Sequence, residues 1–431
     1  MNKSLLLTIA TVLLCCMSAH SVNKTDYAST DKSQAKEPFK FEIYGFVRND
    51  FTYDSRTTLA SVSELFSFIP YDQELNALGQ DVNAIPSTRF LSVVSRFGFN
   101  ATSPLYGGKL RLSAKIEADF CGHASFIQLL RIRQAHVTLR WPHHSLLVGQ
   151  AWHPMSGDLL PSIVSLNTGA PFNAFTRAPQ LRYDAFIGPI TLSAAAIYQF
   201  QYPSPGPEGN TTKYQLFGGL PELYLGVSAN GKRWRVGLGA EYLQICPRHF
   251  IGDTRINASV RSVATQLFAD YHTEHFTVRA KSIYGQNLGH LLMMSGYGEY
   301  YTNPADPTTI QYTPIAQSAT WATLAYHTTR PIHNLRATLL LGYMKNLGAS
   351  HTITGQAYMR GFDNIDQIYR IAPSIQYSYR HLNVGLEYEY TAVAYGNVNP
   401  NYSVIPTHLI DNHRIYLICV YNFSHIFLSK K

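Results

Sequence analysis

Apolar and polar residues alternate with a period of two through much of this sequence. Between residues 109 and 120 every even position is apolar and every odd position is polar, all but Ser113 being charged. Side chains of a strand point alternately to its two faces, so this stretch predicts a strand with one apolar and one ionic face. Similar segments recur, and we predict strands at residues 39–53, 88–102, 109–120, 126–141, 145–152, 177–186, 190–200, 214–229, 233–245, 260–271, 276–287, 317–328, 335–345, 367–380, 382–395 and 413–423.

The links between these strands favour a transmembrane barrel over a soluble sheet. Short links, such as Gly188-Pro189 and Asn230-Gly231, alternate with long ones along the chain. Transmembrane barrels combine short periplasmic turns with long outer loops, whereas a soluble sandwich has no reason to sort its loops in this way. We therefore predict an all-β fold, a transmembrane antiparallel up-and-down β-barrel of about 16 strands with periplasmic termini. Its apolar faces meet lipid and its ionic faces line a water-filled lumen.

The N-terminus predicts export. Lys3 is followed by an apolar stretch from residue 5 to 17 and by Ala19-His20-Ser21, a small-x-small cleavage pattern. These features indicate a signal peptide at residues 1–21, followed by a flexible periplasmic lead at 22–38. The barrel is predicted at 39–423, with a short C-terminal extension at 424–431. The predicted location is the outer membrane of a Gram-negative bacterium, with its lipid as a partner.

Net charge and the number of cysteines narrow the possible functions and disulfide arrangements further. The formal net charge is +8, but the cations alternate with apolar residues and mix with Glu and Asp, which favours an ion-lined pore over nucleic-acid binding. Removal of the signal peptide leaves three cysteines, an odd number that excludes a complete set of internal disulfides. Cys121 and Cys246 are both expected at the outer rim, either bridged or as unpaired small residues.

Several segments resemble the DcaP-like trimeric porins of Gram-negative bacteria. The resemblance is carried by DVNAIP at 81–86, SRFG at 95–98, KIEADFCG at 115–122, LRIRQA at 130–135, VGQAWHP at 148–154, RAPQLRY at 177–183, and by HR at 413–414 and YNF at 421–423 in the closing strand. It is concentrated between residues 44 and 183. The resemblance implies a homotrimer of 16-stranded barrels that passes small anionic organic solutes such as dicarboxylates. Residues 22–38 show no heptads, so the N-terminal coiled coil of some members is not expected.

A passive channel for small hydrophilic solutes, preferring anions such as carboxylates, is the leading functional hypothesis. The predicted pore-lining residues are Arg96, Arg111, Lys115, Glu117, Asp119, Arg131, Arg133 and Arg182. Strand directions place five of these cations near mid-height, where they form a basic wall facing the lumen: Arg96, Lys115, Arg131, Arg133 and Arg182. Such a wall suits carboxylates because arginine binds them through two parallel hydrogen bonds. In the competing interpretation, Arg131 and Arg133 only neutralise Glu117 and Asp119 across the strand pair.

Two segments compete as the constriction that narrows the lumen, residues 153–176 and residues 55–86. A barrel enzyme of the phospholipase or protease type, or a structural or adhesin barrel, remains the functional alternative. No spacing singles out a catalytic set, a cofactor site or a metal site. The pair His272 and His275 lies in a predicted turn and lacks the helical spacing of a zinc protease.

Overall fold

The computed structural model describes residues 37–122, 126, 128–328, 334–361 and 363–429. The predicted signal peptide and almost all of the predicted periplasmic lead lie outside these residues. Pro38–Lys431 forms one compact unit. None of the helices in the described ranges is long or apolar enough to cross a lipid bilayer.

The described chain forms a closed antiparallel β-barrel of 16 strands. The strands are β1 (Lys40–Asp54), β2 (Ser87–Leu91, continued by Arg96–Thr102), β3 (Arg111–Asp119), β4 (Arg131–Arg140), β5 (His144–Trp152), β6 (Arg177–Ile187), β7 (Ile190–Ile197), β8 (Glu222–Asn230), β9 (Trp234–Ile245), β10 (Val260–His272), β11 (Phe276–Gln286), β12 (Ile310–His327), β13 (Leu335–Ala349), β14 (Ile365–Tyr379), β15 (Leu382–Val398) and β16 (Val404–Leu428).

Each strand pairs with its neighbours in sequence, and β1 closes the barrel. It pairs with β2 on one side and with β16 on the other, in a register that runs from Lys40 opposite Leu428 to Asp54 opposite Arg414. A closed sheet leaves no unpaired strand edge, which is what lipid requires of a spanning sheet.

Short elements occupy the long links. They are the helices Pro154–Gly157 and Lys213–Leu216, the 3₁₀ helices Leu288–Leu291 and Pro307–Thr309, and the strands Thr58–Ser61, Phe66–Pro70, Phe250–Ile251, Thr254–Arg255, Tyr297–Tyr301 and Ala357–Tyr358.

The two faces of the sheet are arranged as the alternation predicts. On β3, Ile116 is 53% exposed on the outer surface, whereas Glu117 and Asp119 are buried on the inner face. On β9, Leu238 is also 53% exposed, and Glu241 is buried inside. Apolar side chains therefore face outward, where a bilayer covers them, and the ionic side chains face the lumen.

The apolar positions change parity between Ile132 and Ala135, a pattern that predicts a β-bulge near Gln134, and β4 carries a bulge there. Glu117 pairs with Gln134 and Ala118 pairs with Ile132, which leaves Arg133 as the extra residue. An extra residue shifts the facing of the side chains beyond it, so Arg131 and Arg133 both point to the inside.

Some strand ends differ from the prediction. β4 begins at Arg131 rather than at residue 126, and β8 begins at Glu222 because Lys213–Leu216 is helical. β16 runs to Leu428 rather than ending at residue 423, since β1 continues to offer backbone partners as far as Lys40. Cys121 and Cys246 are free thiols, so the alternative of a bridge between them is excluded.

Candidate pore constriction

Residues 153–176, which we call the lumen loop, leave the end of β5 and enter the barrel. The first part of this loop lies against the wall formed by β9 to β11. Arg235 Nη1 donates to the carbonyl oxygen of Asp158 at 2.7 Å, and Lys281 Nζ donates to that of Met155 at 3.0 Å. Because main-chain carbonyls accept these bonds, the wall holds the path of the loop as well as its side chains.

The second part of the lumen loop contacts strands around the seam where β1 pairs with β16, namely β1, β14 and β15. Arg48 on β1 donates to the Val164 carbonyl at 3.1 Å, while the Val164 N–H donates to Glu387 on β15 at 2.7 Å. Arg370 on β14 donates to the Ala170 carbonyl at 2.7 Å. The loop therefore crosses the interior before it returns to β6.

The competing segment also enters the barrel through its hairpin, Thr58–Ser61 paired with Phe66–Pro70, which we call the lumen hairpin. Arg370 Nη2 donates to the Phe68 carbonyl at 2.6 Å, and Arg414 Nη2 donates to the Glu64 carbonyl at 2.8 Å. Both candidate segments thus lie inside, and they meet where Asn167 Nδ2 donates to the Ser67 carbonyl at 3.4 Å.

An apolar core fills the space between the two inserted segments and the wall. Phe172 of the lumen loop and Trp321 of β12 are fully buried, and Trp321 Nε1 donates to Asn173 Oδ1 at 3.1 Å. Phe66 of the lumen hairpin packs edge-on against Phe175, with ring centroids 5.0 Å apart. The lumen is therefore narrowed by packed side chains, a feature that the strand pattern did not predict.

A basic cluster lines the inner face of β2 to β4 and β6, beside the lumen loop. We call it the arginine patch, and it consists of Arg96, Lys115, Arg131, Arg133 and Arg177 around the carboxylates of Glu117 and Asp119. The structure thus brings together six of the eight predicted pore-lining residues: Arg96 of β2, Lys115, Glu117 and Asp119 of β3, and Arg131 and Arg133 of β4.

The two arginines of β4 carry the strongest pairs in the patch. Arg131 Nε lies 2.7 Å from Asp119, and Arg133 bridges Glu117 at 2.9 Å and Asp119 at 2.7 Å. The pairing interpretation therefore describes Arg131 and Arg133 correctly in geometry.

The other two predicted cations of the patch are more loosely held. Arg96 is 3.7 Å and Lys115 is 3.9 Å from Glu117. The patch contains five cations and only two carboxylates, so it has a surplus of positive charge.

Arg177 completes the patch, although the sequence analysis did not single it out as a pore residue. Its guanidinium lies 4.0 Å above the ring of Trp152, and Nη1 donates to Gln201 Oε1 at 3.0 Å. Nε and Nη2 are buried without a hydrogen-bond partner among the described atoms. Its charged surroundings are the cations Arg96, Arg131 and Arg133. Arg177 opens the RAPQLRY motif at 177–183, but its place in the sequence alone does not show that it lies beside the patch.

Two predicted residues lie away from the patch. Arg111 is opposite Arg140 at the periplasmic end of β3. Arg182 lies five residues beyond Arg177 on β6, about 17 Å along an extended strand, so it cannot join Arg96 in one ring. Arg182 instead pairs with Asp184 at 2.9 Å and lines a cavity elsewhere inside the barrel. That cavity, which we call the inner cavity, contains Arg140, Asp158, Arg182, Asp184 and Arg235.

Comparisons with known proteins agree with this architecture. The model of the family described as DcaP outer membrane protein matches residues 14–191. The resemblance to the DcaP family is confirmed. No curated protein matches the sequence of this chain.

Solved structures share the fold. The outer membrane channel DcaP of Acinetobacter baumannii is 19% identical with a TM-score of 0.64, and the match covers 92% of this chain and 100% of that one. OmpT of Vibrio cholerae, in its trimer form, is 13% identical with a TM-score of 0.54, covering 90% and 100%. OmpF of Salmonella typhi is 11% identical with a TM-score of 0.52, covering 90% and 98%. The DcaP family match and the closed 16-stranded fold agree in indicating a transmembrane β-barrel of the bacterial outer membrane.

Proposed function

We propose that this barrel is a passive channel for small hydrophilic solutes and that it prefers anions such as carboxylates. The observation that carries the proposal is the positive surplus of the arginine patch, above all Arg177, which has no carboxylate partner within the described residues. Selectivity of a pore depends on charge and width at its narrow part, and the patch lies beside the inserted lumen loop. Arg96 and Arg131 are partly exposed and can donate two parallel hydrogen bonds to a carboxylate, whereas the buried Arg177 acts on it through its charge.

The inner cavity supports the same preference nearer the periplasm. Arg140, Arg182 and Arg235 share it with Asp158 and Asp184, so cations again outnumber acids. A carboxylate that passes the arginine patch therefore meets a second basic site rather than an acidic barrier. The enzyme and adhesin alternatives have no comparable support from a described cluster of side chains.

Neutralising Arg177 is expected to weaken anion selectivity. At about 8 Å in water, a unit charge favours an anion by about 0.5 kcal/mol and disfavours a cation equally, so Arg177→Gln should lower the anion-to-cation permeability ratio by about fivefold. The reversal potential of purified protein in planar bilayers, under a tenfold KCl gradient, measures this change; its limit for a perfectly anion-selective pore is about 59 mV.

The control and an opposite-sign variant sharpen this test. Arg380→Gln removes a cation from the periplasmic turn between β14 and β15 and should leave the reversal potential unchanged. Glu117→Gln removes an acid from the patch and should increase anion preference. Cation preference in the unmodified channel, or an equal response to Arg177→Gln and Arg380→Gln, would contradict the proposal.

We also propose that the barrels assemble as homotrimers. The trimer form of Vibrio cholerae OmpT supports this, as does an apolar surface on the outer segment 71–86. There Leu78 is 82% exposed, and Leu75 and Ile85 are also exposed. Arg56 fixes the segment by an ion pair to Asp81 at 2.7 Å, and this hydrogen bond lowers the pKa of Asp81. The pair is therefore present above the usual aspartate pKa and is lost only as pH falls through the lowered value.

Placing a charge on this surface is expected to dissociate the trimer. A buried leucine contributes about 1.5–3 kcal/mol, so Leu78→Glu should raise the dissociation constant at least about tenfold. Native mass spectrometry in mild detergent measures the trimer fraction. Gln80→Glu adds the same charge to the same segment without removing an apolar contact, and it should remain trimeric. Equal trimer fractions in the two variants would contradict a contact through Leu78.

A further inference from the structure

Four buried ionisable side chains from four elements meet where the lumen loop begins. They are His153 of the lumen loop, Glu222 of β8, Glu241 of β9 and His290 of the 3₁₀ helix Leu288–Leu291, each at most 3% exposed. Candidate ligand atoms of His153, Glu222 and Glu241 all lie within 4.8 Å of one another. The sequence spacing predicted no metal site, because these residues are far apart along the chain.

The distances around His290 match a tetrahedral metal site. His290 Nε2 is 2.9 Å from Glu241 Oε1 and 3.5 Å from Glu222 Oε2. Ligands at about 2.0 Å from a tetrahedral zinc ion are separated by about 3.3 Å. Both distances from His290 are close to this spacing, and Glu222 and Glu241 offer ligand atoms within 4.8 Å of each other, so small rotations bring the three side chains around one centre.

Charge balance points to a dication. The ion pairs of Glu222 and Glu241 within the described residues are with histidines, and none involves a lysine or an arginine. Two carboxylates this close together in a buried site repel each other and need a counter-charge. A divalent ion makes this group electrically neutral. Glu241 Oε2 and His290 Nδ1 are also buried without a partner, so the carboxylate has an oxygen free to coordinate.

The two histidines have different surroundings. His153 Nδ1 accepts a hydrogen bond from the Met155 backbone N–H at 3.1 Å, so its proton must be on Nε2, which contacts Glu222. A neutral imidazole in this tautomer donates to the carboxylate and has no lone pair on Nε2 for a metal. His153 is thus a positioning residue that orients Glu222, as the outer hydrogen-bond partners of metal ligands commonly do.

We propose that Glu222, Glu241 and His290 bind a divalent transition-metal ion, with zinc as the preferred ion, and that His153 orients Glu222. One nitrogen and two carboxylate oxygens are a ligand set that zinc accepts, whereas magnesium demands an octahedral shell of oxygens. Because His153 opens the lumen loop, the ion joins β8, β9 and the link after β11 directly and holds the loop through Glu222. The proposal does not depend on which solute the channel passes.

Zinc content of the purified protein tests the site. Protein in detergent is treated with EDTA, exposed to micromolar ZnCl₂ and desalted, and its metal content is measured by mass spectrometry. We expect about one zinc per chain, unaffected by excess MgCl₂. Glu241→Gln, which keeps the shape of the side chain, should reduce zinc affinity by more than about 100-fold. His153→Asn should reduce it by about 10- to 100-fold, as for other residues that orient a ligand.

Two further measurements separate a built site from surface binding and from misfolding. The double variant His272→Ala and His275→Ala removes the histidine pair of the periplasmic turn and should keep the zinc. Co²⁺ should give d–d absorption bands that disappear in His290→Ala. Unheated gel migration shows that each variant is a folded barrel. Zinc absent from the unmodified protein, lost in the turn variant, or retained by folded Glu241→Gln would overturn the proposal.

Discussion

Replacing Phe172 by alanine is expected to destabilise the barrel by about 3–5 kcal/mol and to widen the channel. Phe172 is fully buried in the lumen loop. A Cβ added at Gly342 on β13 would lie 2.7 Å from its ring, so the wall leaves no space there. The Arg370 guanidinium lies 5.3 Å from the same ring. Alanine would leave a cavity that the closed sheet cannot collapse into, and the loop would lose the packing of this ring against β13 and Arg370.

Two measurements report on this change. Denaturant unfolding in detergent gives the free energy of unfolding, and single-channel recording gives the conductance, which should increase. Phe250→Ala removes the same side chain from an exposed outer hairpin and should change both by little, since Phe250 is 62% exposed. A Phe172→Ala channel with unaltered stability and conductance would show that the loop is not held by apolar packing.

Introducing a charge at Leu238 should cost about 2–4 kcal/mol, the range for a basic residue at mid-bilayer on a lipid-facing position. Leu238 lies near the middle of β9 and pairs with Val227 and Leu267, whose side chains are exposed on the same outer surface. Three residues earlier, Arg235 occupies the inner face of the same strand and donates to the lumen loop. The expected penalty thus depends on the face and not on the strand.

Unfolding of Leu238→Arg in lipid vesicles measures this penalty, and Leu238→Ala separates the loss of the leucine from the added charge. The alanine variant should lose much less stability, because the position is not packed against protein. Equal stability of the arginine and alanine variants would mean that this face does not meet lipid.

The strands of this barrel could be predicted because their pattern is local. Alternation from Lys109 to Phe120 gives the facing of each side chain without knowledge of its neighbours. The parity change between Ile132 and Ala135 predicts a bulge near Gln134 for the same reason, and the extra residue is its neighbour Arg133. The pairing of β1 with β16 then follows from closure, whereas its register, which extends to Leu428, does not.

The interior could not be predicted in the same way, because its contacts join distant parts of the chain. Arg370 bonds to Phe68, which is 302 residues away, and only barrel closure brings them together. The inserted hairpin therefore had no local signal. Arg177 was overlooked since its importance comes from what it lacks, a carboxylate partner. Glu222 and His290 could not be paired from the sequence because they lie on separate elements, β8 and the link after β11.

The attachment of the lumen loop and hairpin relies largely on amide oxygens. Arg235, Lys281 and Arg48 reach into the interior and bond to main-chain carbonyls. Peptide groups stay uncharged across the acidity range that bacteria survive, unlike the side-chain acids that anchor many mobile gates. These backbone anchors therefore persist when carboxylates become protonated, whereas the bond from the Val164 N–H to Glu387 depends on a side-chain acid.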